Sequence, residues 1–67
     1  MRLFSRKQQQ QQALYIALGT VIGFRGYLKN LQTVLHRAGY YKSDSIEHML
    51  SMMTYYEQMI RRDMGNI

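Results

Sequence analysis

The sequence contains no cysteine, no proline and no tryptophan. The lack of cysteine excludes disulfides, and no Cys/His cluster offers a structural metal in their place. Sixty-seven residues allow one domain at most. A chain this short buries a small share of its surface, and independent domains of this size usually need a staple. With none available, the expectation is a chain stabilised by partners, by lipid or by both, with no independent globular core.

Acid is scarce, and it is missing altogether from the first 43 residues. That stretch carries Arg2, Arg6, Lys7, Arg25, Lys29, Arg37 and Lys42. Residues 44–67 hold all four acids (Asp44, Glu47, Glu57, Asp63) against Arg61 and Arg62. Such asymmetry suggests two environments, with an acidic or anionic-lipid neighbour for the first half. The cations are spread singly rather than clustered on one face, which argues against nucleic acid as that neighbour. The start is basic and acid-free, but five glutamines, Gln8 to Gln12, separate it from any apolar run. It therefore does not read as a signal peptide.

The chain divides into a basic, Gln-rich segment (1–12), a long helix and its amphipathic extension (13–38), a connector (39–43) and a C-terminal amphipathic helix (44–67). The first helix is predicted over about 8–38, with the glutamines as its polar first turn. Gly39 follows His36-Arg37-Ala38 and reads as the C′ residue that ends it. Asp44-Ser45-Ile46-Glu47 has the pattern of a capping box, with Asp44 as N-cap. The second helix is predicted to run to about Gly65.

Ala13 to Phe24 is a run of twelve uncharged, mostly apolar residues. A bilayer core takes about twenty. Extension to Leu31 brings in Arg25 and Lys29, which can snorkel from near the end of a span. At about 100° per residue, Leu14, Ala17, Val21, Phe24, Leu28, Leu31 and Leu35 share one face. Ile16, Gly19, Gly23, Gly26 and Asn30 lie nearly opposite, and Gly19 to Gly23 is a GxxxG. Each glycine inside a helix costs about 1 kcal/mol against alanine unless another backbone packs on it. In lipid, such faces let helices approach closely. The expectation is an all-α chain: a long, single-pass transmembrane helix followed by a short amphipathic one. Gly19, Gly23 and Gly26 would pack one neighbour. Leu14, Val21, Phe24, Leu28 and Leu35 would meet a second, and Arg25 and Lys29 would anchor at the lipid interface.

Ile46, Met49, Leu50, Met53, Tyr56 and Ile60 form a helical stripe in the second helix, widened by Met52, Tyr55 and Met59. It fits a partner, a membrane surface or the first helix. His36 and His48 have no further ligands at metal-site spacing. No serine has an oriented base, no carboxylates pair for acid/base work, and the glycines form neither a P-loop nor a Rossmann turn. The sequence thus points away from an enzyme and calls for no cofactor and no metal.

Tyr15-Ile16-Ala17-Leu18-Gly19-Thr20-Val21-Ile22-Gly23-Phe24-Arg25 resembles the transmembrane segment of mitochondrial F-type ATP synthase subunit e. The resemblance implies a non-catalytic, single-pass accessory subunit of the mitochondrial inner membrane. It assigns helix–helix packing to Gly19 and Gly23 against a subunit g-like helix, in the membrane region where synthase dimers form. Arg25 would sit near lipid headgroups. Accessory subunits of respiratory-chain complexes have a similar build. The positive-inside tendency would turn Arg2, Arg6 and Lys7 to the matrix. The rival expectation is a soluble, basic two-helix module that dimerises through the leucine seam and binds nucleic acid or an acidic protein.

Overall fold

The computed structural model describes residues 6–65. The basic start with Arg2, and residues 66–67, lie outside the described residues. Two helices make up the fold: α1, Arg6–Arg37, and α2, Asp44–Gly65. No strand occurs among the described residues. The architecture is all-α, as the periodicity predicts, and the glutamines form part of α1.

The end of α1 is a local decision of Gly39. Its φ of 96° lies in the left-handed region, which a side chain would strain. The Tyr40 N–H donates to the Leu35 carbonyl at 2.8 Å, and the Gly39 N–H to the His36 carbonyl at 3.1 Å. This is a Schellman closure with Gly39 at C′, as the sequence suggests. The start of α2 differs by one residue from the predicted capping box. The Ser43 carbonyl accepts from the Glu47 N–H at 2.8 Å, so Ser43, rather than Asp44, is the N-cap. The reason is tertiary. Ser43 is buried, and its Oγ accepts a hydrogen bond from Gln32 Nε2 of α1 at 2.9 Å. Asp44 and Glu47 fall in the first turn, where negative charge complements the helix dipole.

The connector folds α2 back along α1 as an antiparallel hairpin, held midway by the ion pair of Arg25 and Glu57. Counting outward from that pair brings Leu28 level with Met53 and Val21 level with Ile60. Leu28, 2% exposed, and Ile46, 7% exposed, are the buried apolar residues. Leu14, Val21, Leu31 and Leu35 of α1 are half-buried, as are Met49, Leu50, Met53 and Ile60 of α2. The bulky face of α1 therefore meets the chain's own second helix. Phe24 departs from this: it is exposed and stacks on Tyr27 at 6.4 Å between ring centroids, while Arg25 turns inward. Tyr56 is likewise exposed, and Glu57 takes its place in the seam. The two displacements occur at the same level because the two charges satisfy each other there.

The expected membrane span finds no support in the fold. No helix among the described residues is long and apolar enough to cross a membrane. The apolar run of α1 is bounded by glutamines on one side and by Arg25 and Lys29 on the other. It falls short of the roughly twenty residues a bilayer core requires.

With so little buried, the seam is sensitive to a single cavity. Leu28→Ala should cost about 2–5 kcal/mol, enough to abolish a cooperative transition in a chain this small. Thermal denaturation followed by far-UV circular dichroism measures it.

Candidate interaction surface

Alpha-helical geometry that turns Val21, Arg25 and Leu28 towards α2 necessarily turns the residues two positions away outward. Gly19, Gly23 and Gly26 are exposed, on the side of α1 facing away from α2. A methyl side chain at any of the three would meet no atom of another part of this chain within 4 Å. The glycines thus have no packing role inside the hairpin. Around them Ile16 (64% exposed), Tyr27 (61%) and Tyr15 and Val34 stand open to solvent. The Thr20 hydroxyl donates to the Ile16 carbonyl at 2.8 Å, and exposed Asn30 lies on the same face one turn beyond Gly26. The result is a flat strip of backbone bordered by large apolar side chains, the shape that receives another helix.

Arg25, predicted as a lipid-interface anchor, is instead joined to Glu57 within the hairpin. Lys29, one turn on, is exposed. Both border a groove of about 360 Å³ between the helices, with Leu50, Ser51 and Thr54. The Thr54 hydroxyl is turned to the Leu50 carbonyl at 3.1 Å. Glu57 also accepts from Arg61 Nε at 3.0 Å. The Arg61 hydrogen bond holds the Glu57 carboxyl below the usual carboxylate range; partial burial opposes this and the Arg25 charge adds to it.

Among the described residues no three His, Asp or Glu side chains gather as a metal site would require. His36 lies by Tyr41 with 6.1 Å between ring centroids, and His48 is exposed on α2.

Two outcomes follow from this geometry. Because the three glycines are exposed inside a helix, Gly19→Ala, Gly23→Ala and Gly26→Ala should each stabilise the isolated chain by about 0.4–1 kcal/mol, read by denaturant unfolding. Glu57 binds its proton less tightly folded than unfolded. Its contribution to stability is thus complete above the ordinary carboxylate pKa and is lost as pH falls through the lowered one. The melting temperature should fall on acidification through that window, and Glu57→Gln should remove that part of the slope.

Compared with known protein families, with curated proteins and with solved structures, the chain finds no match.

Proposed function

We propose that this chain is a non-catalytic structural accessory subunit, a helical hairpin that docks on a larger multi-subunit complex through the outer face of α1. One observation carries the reading. The hairpin consumes the bulky face of α1 and leaves the glycine face bare, although each of those glycines weakens the helix. A second helix packed on Gly19, Gly23 and Gly26 would offset that cost. Ile16, Tyr15 and Tyr27 would close over its flanks.

The resemblance of Tyr15–Arg25 to ATP synthase subunit e supports a host in the mitochondrial inner membrane, with a subunit g-like helix as the neighbour. A respiratory-chain complex is the alternative host. Since no described helix is long and apolar enough to span, the proposal seats the hairpin against the complex by protein contact, with lipid at its aromatic rim. The single-pass arrangement would require α1 to exchange α2 for other neighbours along the same leucine seam.

The test is native-gel co-migration of the tagged chain in its own cells, with Gly23→Leu as the variant. A leucine there meets nothing within the hairpin at its first carbon, so the fold should persist. Co-migration should be abolished; unchanged incorporation overturns the reading. Alkaline carbonate should release the wild-type chain, whereas retention in the pellet would restore the single-pass arrangement. Release together with salt-sensitive binding to nucleic acid would favour the soluble basic module, whose acid-free α1 is the feature on its side.

A further inference from the structure

The seam between the helices runs in heptad steps on both sides. Positions 18, 21, 25, 28, 32 and 35 of α1 are buried or half-buried, as are positions 46, 50, 53, 57, 60 and 64 of α2. Each series alternates steps of three and four, the pattern of a coiled-coil core. Among these twelve positions only two residues are charged, Arg25 and Glu57, and they meet each other. Their side chains are 27% and 14% exposed.

The apolar part of this seam discriminates poorly. Leu50, Met53, Ile60 and Met64 on α2 run along Leu18, Val21, Leu28 and Gln32 of α1. Unbranched methionines adapt to many surfaces. A shift of α2 by one heptad would still set apolar against apolar at most levels. It would not do so at position 25. One heptad out, Arg25 would lie level with Leu50 or Met64, and Glu57 with Leu18 or Gln32. Arg25 would then sit half-buried without a partner, and Glu57 would keep only Arg61 of its own helix. A half-buried ion pair adds little net stability over an apolar pair, but separating its members is costly. Its effect therefore falls on the alternatives rather than on the native state.

We infer that the Arg25–Glu57 pair is a register key, a single charged layer in a seam that is otherwise apolar save for Gln32, and that it admits α2 at one position along α1. Arg61, bonded to the second Glu57 oxygen from the next turn of α2, holds the carboxylate in place for Arg25. The charges facing Glu57 are Arg25 from α1 and Arg61 from its own helix. The Gln32–Ser43 hydrogen bond marks the other end of the overlap, at the connector.

Because the chain has no cysteine, engineered pairs report register without background. Val21→Cys with Ile60→Cys probes the native register, and Val21→Cys with Met53→Cys probes a slip of one heptad. In the otherwise native chain the first pair should form a disulfide roughly tenfold faster or more, since the slipped state strands Arg25 and takes from Glu57 its partner on α1. In the Arg25→Leu/Glu57→Leu background the chain should stay helical and melt at the same or a higher temperature. There the slipped pair should form within a few-fold of the native one. The exchanged pair, Arg25→Glu with Glu57→Arg, should restore the native preference, whereas Arg25→Glu alone should lose it. A Leu/Leu chain that keeps the native preference undiminished overturns the inference, because the connector alone would then set the register. An exchanged pair that fails to restore it does so as well. If the Leu/Leu chain loses its helix, the contrast between the exchanged pair and Arg25→Glu alone decides.

Discussion

The packing of α2 along one face of α1 is the interaction on which everything else in this molecule rests. Leu28 and Ile46 are the apolar residues it buries, with half-buried leucines and methionines around them. A lone helix of either length would be marginal in water, since most helical stability in proteins comes from packing an apolar face. No disulfide adds to the seam, since the chain has no cysteine. The hairpin depends equally on its connector. Gly39 turns the backbone where a side chain would be strained, and buried Ser43 ties the first turn of α2 to Gln32. Both are short-range devices that make a long-range contact possible.

That contact divides α1 into two surfaces with different fates. One is used internally. The other carries glycines at 19, 23 and 26 between exposed Ile16, Tyr15 and Tyr27, and gains nothing from the fold. A helix of a self-sufficient protein would carry alanine or a charge at such positions. The same contact changes the electrostatic reading. Arg25 looks in the sequence like a free cation of an acid-free segment, yet its charge is met by Glu57, 32 residues away. The exposed cations that remain on α1, such as Lys29 and Arg37, set its outward character.

Periodicity and structure part company at two paired positions. Phe24 and Tyr56 fit the two apolar stripes, each being aromatic and correctly spaced. Both are displaced by the charged residue that follows them. Periodicity weighs residues one helix at a time, and on that scale a phenylalanine outranks an arginine. Only when the two helices are brought together does the arginine acquire a partner that makes its partial burial affordable. The Ser43 cap has the same origin. Asp44 has the better local pattern, but Ser43 has Gln32 beside it. The membrane span lacks support for another reason: the glycine pattern that favours close helix packing carries no information about length. The apolar run is too short for a bilayer however its small residues are arranged.

The sequence by itself determined the all-α class, two helices, the left-handed stop at Gly39 and the separation of α1 into a bulky and a flat face. All of these are consequences of local backbone preference and of the helical repeat, which act within a few residues. Tertiary structure alone decided that the bulky face would be filled by the chain's own α2, that Arg25 and Glu57 would form the one charged layer of the seam, and that the glycines would be left outside. Those outcomes depend on which surfaces meet across a connector. No local preference encodes that choice, because the cost of burying a charge is offset only when its counter-charge arrives from the other helix.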